Sequence, residues 1–252
     1  MKIGLLGFGK MGRKIFEIAK NRGHEISEIV DPRAIEATHK TFPEKSAAEV
    51  FIDFSAPDAV FSNVKSAAAF HKNLVVGTTG WTEKMPEIRE IVKKSKIGFL
   101  WGSNFSPAVQ MFFAVARAAA KIADKFPECD VAAFEAHHRH KIDAPSGTAL
   151  SLGAILLDEI SRKKKLLLDR PTGKISPDDL HLSTIRVGEV PGTHAAIFDF
   201  PDETIEIKST SRSRGSFALG AVLAAEFLRG KSGFFDFQKV FLEKISDKKK
   251  DF

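Results

Sequence analysis

The sequence predicts an α/β protein: a doubly wound parallel sheet, followed by a second α+β domain with a mixed or antiparallel sheet. Three observations carry this expectation. Apolar strand-like runs alternate with helix-periodic segments through residues 1–106. The loop GFGKMG lies between the first such strand and the first helix. From Pro107 the pattern changes to an alanine-rich helix and then to several strand-like runs. A glycine loop in a strand–turn–helix setting makes the first domain Rossmann-type.

The elements follow in order. KIGLLGFG opens as a core strand, and MGRKIFEIAKNRGH places Ile15, Ile18 and Ala19 at helical spacing, with Gly23 closing the helix. EISEIVD is the second strand, VFIDFS (50–55) the third, and a helix starts near Pro57 and Asp58. NLVVGTTG (73–80) and IGFLWGSNFS (97–106) are two further strands ending in polar loops, with a helix from Met85 to Lys94 between them. In the second domain, AVQMFFAVARAAAKIADKF is a helix and DVAAFEAHHRHK a strand. A helix over roughly Ala149–Arg162 follows, then a basic, loop-like stretch over 163–181. LSTIRVG, HAAIFDF and ETIEIKSTSR read as strands, and SFALGAVLAAEFLRGK as a helix with one apolar face ending at Gly230. The expected division is 1–106, completed by 216–252, for nucleotide binding, and 107–215 for substrate binding and oligomerisation.

Composition narrows the function. In 252 residues, 43% are hydrophobic and 28% charged, which suits a chain with an ample core. No apolar run approaches the ~20 residues that cross a bilayer, and the N-terminus reads as a strand rather than a signal peptide. The single cysteine, Cys129, excludes a disulfide framework and a multi-cysteine zinc site. The expectation is a cytoplasmic protein with no membrane partner. The net charge of +6 sits largely in RKKK (162–165) and KKK (248–250), which read as solvated ends. No zinc finger, leucine zipper or RNP motif accompanies them, so no nucleic-acid partner is expected.

Gly7, Gly9 and Gly12 have separate mechanical tasks. The first makes the tight turn, the second lets backbone approach a pyrophosphate, and the third lets helix and strand pack closely. Phe8, Lys10 and Met11 complete the loop. Asp31 follows roughly 20 residues later, where an acid holds ribose hydroxyls. A turn cap is its rival reading. Arg33 suits the 2′-phosphate of NADPH, so NADPH or NADH is the expected cofactor. GTT (Gly77, Thr78, Thr79) and GSNF (Gly102, Ser103, Asn104, Phe105) fall at the carboxyl ends of later strands, where such sheets bind ligands.

EAHHRHKIDAPSGTA (135–149) concentrates the chemistry. Strand alternation places His137, Arg139 and Lys141 on one side and His138 and His140 on the other, unless the strand ends within the motif. The cations Arg139 and Lys141 oppose a metal ion, and no metal is expected. An imidazole beside a lysine, followed by a PSGT turn opening a helix, suits an anionic substrate. His137 donates a proton, Lys141 stabilises developing charge, and the N–H groups of Gly147 and Thr148 receive a carboxylate. This suggests a reductase of a small dicarboxylic acid.

That motif resembles the signature of the dihydrodipicolinate reductase family. GFGKMGR, FIDFSAPDA, VVGTTG, SNFSPAV, IRVGEVPGTH, SRGSFALGAV and SGFFDF are similar to its other segments, in the family order. The resemblance implies NAD(P)H-dependent reduction, with loss of water, of 4-hydroxy-tetrahydrodipicolinate to tetrahydrodipicolinate in the diaminopimelate route to lysine. It implies His137 as proton donor and Lys141 as second catalytic group. His138, Gly147 and Thr148 would bind substrate, and the Gly7–Gly12, Asp31, Gly77–Thr79 and Gly102–Phe105 segments would bind the nucleotide. It also implies a homotetramer built through the second domain's sheet. The chain departs from the family twice. Its glycine loop is one residue shorter than the commoner Gly-x-x-Gly-x-x-Gly, which keeps both nucleotides open, and Thr193 stands where glutamate is common. Two rival functions are a two-domain dehydrogenase of another small dicarboxylic acid and an NAD(P)H-sensing regulator that binds nucleic acid.

Overall fold

The computed structural model describes residues 1–168, 171 and 173–246, with side chains as far as Glu243. The basic run 248–250 and the end of the segment 216–252 lie outside the described residues. The chain divides into two compact units, one formed by Met1–Pro107 with the chain from Arg214 onward, the other by Ala108–Ser213.

The first unit is a six-stranded, wholly parallel sheet. Its strands are β1 (Lys2–Leu6), β2 (Glu25–Val30), β3 (Val50–Asp53), β4 (Asn73–Val76), β5 (Gly98–Trp101) and, last in the chain, β11 (Gly233–Asp236). The spatial order is β11-β5-β4-β3-β1-β2, so the direction of winding reverses between β1 and β3. The strands β1, β3 and β4 are short, mostly apolar runs buried on both faces, as helices on both sides require, whereas the edge strands β2 and β11 are partly exposed.

Helices α1 (Lys10–Asn21) and α6 (Gly215–Phe227) pack with α7 (Phe237–Ser246) into one apolar layer with Ile3, Leu5, Ile52, Val75 and Leu100. On the other face, α2 (Pro57–Ala69) and α3 (Met85–Ser95) enclose Leu6, Phe51, Leu74, Val76 and Phe99. Phe51 and Phe99 are fully buried, and each such side chain contributes about 1.5–3 kcal/mol by leaving water. α1 ends as its sequence suggests: Arg22 caps it and Gly23 follows at φ +79°.

The second unit has a five-stranded mixed sheet in the order β10-β9-β6-β8-β7. Its strands are β6 (Asp130–His137), β7 (Lys165–Leu167), β8 (Asp179–Arg186), β9 (Thr193–Asp199) and β10 (Thr204–Thr210). β6 pairs parallel with β8 and antiparallel with β9. Helices α4 (Pro107–Ala123) and α5 (Gly147–Glu159) cover one face through Phe112, Phe113, Leu152 and Leu156 against Val131, Ala133, Leu182 and Phe198. The burial of β6 alternates strictly, placing Val131, Ala133, Glu135 and His137 on the covered side.

Four sequence expectations change. α5 begins at Gly147 rather than Ala149, because Ser146 is its N-cap and accepts the Ala149 N–H, and it ends at Glu159. A short strand, β7, interrupts the stretch read as loop over 163–181. α6 stops at Phe227, three residues before Gly230. It also has no exposed residue from Gly215 to Leu228, so it is a core helix and not a one-faced one. β11 and α7 add a last strand and helix that the sequence pattern did not separate.

The closest approach inside the first unit is at Gly220 of α6, where a Cβ would overlap the Phe105 carbonyl oxygen. Backbone cannot yield as a side-chain tip can. Gly220→Ala is therefore expected to lower the unfolding free energy by about 1–3 kcal/mol or more, measured by chemical denaturation; an unchanged midpoint would contradict the packing.

Candidate functional site

The reversal point of the parallel sheet puts the loops after β1, β3, β4 and β5 on one edge, the position where open α/β sheets take ligands. Gly7 turns at φ +89°, with no room for a side chain against the backbone of Phe54 and Ser55. A Cβ on Gly12 would overlap the Gly7 carbonyl oxygen, so the third glycine is what lets α1 sit against the loop. A Cβ on Gly9 would meet nothing within 4 Å. Gly9 is also the N-cap of α1, has no side-chain cap, and is followed by no acid in the first turn. Open space before an uncapped helix start fits a pyrophosphate.

The surrounding residues set this edge. The Asp31 carboxylate accepts the Phe8 N–H at 2.7 Å, the Arg33 N–H at 2.8 Å and the Ala34 N–H at 3.0 Å. Burial pushes its pKa up, and these bonds outweigh burial and hold it below the usual carboxylate value. Asp31 therefore closes a turn and ties the end of β2 to the glycine loop. Arg33 is exposed beside it, as are Gly9 and Lys10, while Met11 is half-buried.

Asp53, fully buried at the end of β3, accepts bonds from Ser55 Oγ at 2.6 Å, Asn63 Nδ2 at 2.8 Å and Thr78 Oγ1 at 2.9 Å. Burial is the dominant influence and raises its pKa. Thr78 is thus fixed by the protein, and Gly77 is required because a Cβ there would overlap the Phe54 ring. Thr79 and Ser103 are exposed. Asn104 Oδ1 accepts the Ser106 N–H at 2.9 Å, and Gly102 is buried beside the Phe105 ring, which packs at 4.7 Å from that of Phe237.

The 135–149 motif lies in the second unit and is organised by Glu135, which is wholly buried. Strand alternation sends Glu135 and His137 the same way. The register sets His194 of β9 opposite Glu135, and Arg186 of β8 opposite His137. Glu135 Oε1 accepts from Arg186 Nη2 at 2.9 Å and from the Ser146 N–H at 3.0 Å. Oε2 lies 3.2 Å from His137 Nδ1 and 3.6 Å from His194 Nε2. Burial pushes the Glu135 pKa up, but the polar contacts of His194, Ser146 and Arg186 prevail and bring it down to about 2. For His137, burial lowers the pKa, Glu135 opposes, and His194, Lys141 and Arg186 add to the lowering, giving about 4. In this structure the ring is neutral at neutral pH.

Glu135, His137 and His194 form a candidate metal-ligand set among the described residues, with ligand atoms within 4.8 Å of one another. The Arg186 guanidinium already holds the same carboxylate and disfavours a cation there.

The strand ends at His137, within the motif, so the alternation does not extend to Lys141. The Lys141 N–H turns back to the His138 carbonyl at 3.1 Å, and the Arg139 N–H donates to Gly188 at 3.1 Å. His138 is half-buried, whereas Arg139 and His140 are exposed and approach Glu189. Lys141 Nζ is held by Asp143 at 2.7 and 3.0 Å. Gly147 is exposed with nothing within 4 Å of a Cβ position, and Thr148 follows it in the first turn of α5. Sequence reasoning missed Glu135, Ser146, Arg186, Gly192 and His194. The i, i+2 spacing of Glu135 and His137 on a strand was the one available signal.

A glycine-loop parallel sheet joined in one chain to a buried carboxylate–histidine motif defines a nicotinamide-nucleotide-dependent oxidoreductase. The chain belongs to the dihydrodipicolinate reductase family: the N-terminal profile of that family matches residues 1–105 and the C-terminal profile residues 108–241. A 4-hydroxy-tetrahydrodipicolinate reductase of Christiangramia forsetii is 38% identical over 240 residues, covering 95% of this chain and 97% of that protein. Among solved structures, a dipicolinate-bound dihydrodipicolinate reductase from Paenisporosarcina sp. TG-14 shares the fold at TM-score 0.74 and 21% identity, covering 95% of this chain and 99% of that one. A probable dehydrogenase from Thermotoga maritima shares it at TM-score 0.57 and 12% identity, covering 96% and 93%.

Two predictions follow from the motif's geometry. Gly192 has φ +148°, and a Cβ there would sit 3.0 Å from His137 Nε2. Gly192→Ala is expected to cut turnover about 10- to 100-fold by strain and by covering that nitrogen, with nucleotide affinity unchanged; wild-type turnover would refute it. The pKa values also give a sign for stability. Unfolded His137 takes up its proton near 6.5 and the folded ring only near 4, so folding stability is lost as pH falls through that window. Glu135 continues the loss between 4.5 and about 2. The denaturation midpoint should fall from pH 7 to pH 4, and fall less in His137→Gln; equal slopes would contradict the assignment.

Proposed function

We propose that this chain is a 4-hydroxy-tetrahydrodipicolinate reductase, reducing (2S,4S)-4-hydroxy-2,3,4,5-tetrahydrodipicolinate to tetrahydrodipicolinate with loss of water, at the expense of NADPH or NADH. The observation that carries the reading is the pairing, in a chain matched to this family along nearly its whole length, of the glycine-loop edge with the Glu135-anchored cationic motif.

Residues 1–106, with the returning C-terminal segment, bind the nucleotide, and 107–215 bind the substrate. Gly7 to Gly12 receive the pyrophosphate, with Gly9 giving the room. Gly77 to Thr79 and Gly102 to Phe105 line the same edge, where the bound nicotinamide supplies a hydride. Asp31 shapes the loop through its three N–H bonds, and Arg33, exposed beside it, is the group a 2′-phosphate would meet.

The substrate is a dianion. One carboxylate is received by the first turn of α5 at Gly147 and Thr148, where helix dipole and backbone N–H groups favour negative charge. His138, half-buried after the end of β6, contacts the substrate. Lys141 exchanges its Asp143 partner for substrate charge and stabilises the charge that develops as the ring is reduced. His137 gives its proton from Nε2, the nitrogen left uncovered by Gly192. Two substrate carboxylates favour the protonated ring, so the depressed pKa of about 4 rises as substrate binds.

We further propose a cytoplasmic homotetramer assembled through the second unit's sheet, without a nucleic-acid or membrane partner. The family resemblance supports the assembly; among the described residues, no helix is long and apolar enough to cross a membrane. Oxidation of NADH and of NADPH, followed with (2S,4S)-4-hydroxy-2,3,4,5-tetrahydrodipicolinate, tests reaction and cofactor together. His137→Ala and Lys141→Ala are each expected to lose about 100-fold or more in turnover while still binding nucleotide. Wild-type rates in both would overturn the roles, and oxidation only with a different acid would assign the chain to a sister dehydrogenase.

A further inference from the structure

Of the groups around His137, Glu135 has no role in the reaction as derived above, yet it has the least freedom. It is wholly buried, and it is the point where three strands and one helix start converge. Its two oxygens differ. Oε1 is saturated by Arg186 Nη2 and the Ser146 N–H, at 2.9 and 3.0 Å. Oε2 has only the two imidazoles near it, His137 Nδ1 at 3.2 Å and His194 Nε2 at 3.6 Å. A carboxylate needed only to neutralise Arg186 would not require this second arrangement. An anion beside Nδ1 favours a hydrogen on that nitrogen. The neutral ring then carries its lone pair on Nε2, and the charged ring carries its transferable proton there.

We infer that Glu135 is a positioning residue for His137, fixing the Nδ1–H tautomer so that Nε2 takes up and delivers the proton, and binding the ring to the first turn of α5 as one unit. His194 supports it from β9, touching Glu135 Oε2 and lying 3.1 Å from Ser146 Oγ, the cap of α5. The proton donor and the carboxylate-binding turn thus adjoin the two oxygens of one carboxylate: His137 Nδ1 lies 3.2 Å from Oε2 with no hydrogen bond to it, and the Ser146 N–H donates to Oε1. This inference rests on the proposed role of His137. The charged and titratable groups facing that ring are Glu135 on its own strand, Arg186 from β8, His194 from β9 and Lys141 from the following turn. Removing Glu135 leaves only groups that disfavour the imidazolium.

The test compares the full-length wild type with Glu135→Gln and Glu135→Asp, reading the pH profile of kcat/KM and the imidazole nitrogen NMR of His137, assigned by its loss in His137→Gln. Glu135→Gln keeps the volume and one acceptor oxygen. It should lower kcat about 10- to 100-fold, move the His137 limb of the profile to lower pH, and lose the Nδ1–H tautomer, with KM for nucleotide unchanged. Glu135→Asp should restore the limb toward its wild-type position. Wild-type kcat with an unmoved limb in Glu135→Gln would overturn the inference. So would a loss of activity with tautomer and limb unchanged, since that marks a structural role alone. If Glu135→Gln does not fold, the wild-type spectrum decides: Nδ1–H at neutral pH supports the inference, and Nε2–H overturns it. Should the wild type fail to reduce the proposed substrate, that reading falls by itself, and the NMR comparison still decides the positioning of His137.

Discussion

The constraint on which the rest of the second unit depends is one buried negative charge flanked by polar groups from four directions, with Oε1 hydrogen-bonded and Oε2 only approached by two imidazoles. Taking a carboxylate out of water costs several kcal/mol unless it finds strong partners. Glu135 finds them only when β6 pairs with β8 in one register and with β9 in another, and when the chain after the strand turns back to begin α5. A slip of one residue in either pairing would send Arg186 or His194 to the opposite face and leave the charge unpaired. The polar cluster thus selects among the pairings that an apolar sheet face would tolerate, and the geometry it selects brings His137 Nε2 out beside Gly192.

The first unit is governed by close approach. Two glycines of its first loop solve opposite problems: Gly12 allows α1 to touch the loop, and at Gly9 the space in front of the helix start is open. Two acids, half-buried Asp31 and buried Asp53, then brace the same edge. Asp31 joins β2 to the glycine loop through three backbone N–H groups, and Asp53 joins β3 to the β4 loop through Ser55 and Thr78. The loops at this edge are therefore set by carboxylates as well as by the packing of Phe54, Phe105 and Phe237.

Much of this was legible in the sequence, and the failures have physical reasons. The parallel sheet was readable because most of its strands are largely apolar and its loops polar, and the glycine loop because its three glycines stand at the spacing a phosphate loop needs. The Asp31 turn cap was weighed as a rival, and it is what the carboxylate does in the structure. β7 escaped notice because three residues within a basic stretch carry no period, and β11 because GFFD is too short to show one. α6 was read as one-faced because alanine and glycine blur the apolar stripe, whereas it is enclosed on all sides. Glu135 was in view, two residues from His137 on a strand. Arg186 and His194 were not, because strand pairing over such sequence separations leaves no local trace. The alternation expected beyond His137 failed where backbone bonds from Lys141 and Arg139 curl the chain out of the sheet.

On the proposed reading the 135–149 motif is a dicarboxylate site whose parts are kept in fixed relation by Glu135. The most direct measurement is a crystal structure of the full chain with pyridine-2,6-dicarboxylate bound. One ligand carboxylate is expected on the backbone N–H groups of Gly147 and Thr148, with His137 Nε2 turned toward the ligand and Nδ1 still facing Glu135 Oε2. A dicarboxylate bound away from the start of α5, or a His137 ring turned with Nε2 toward Glu135, would contradict it.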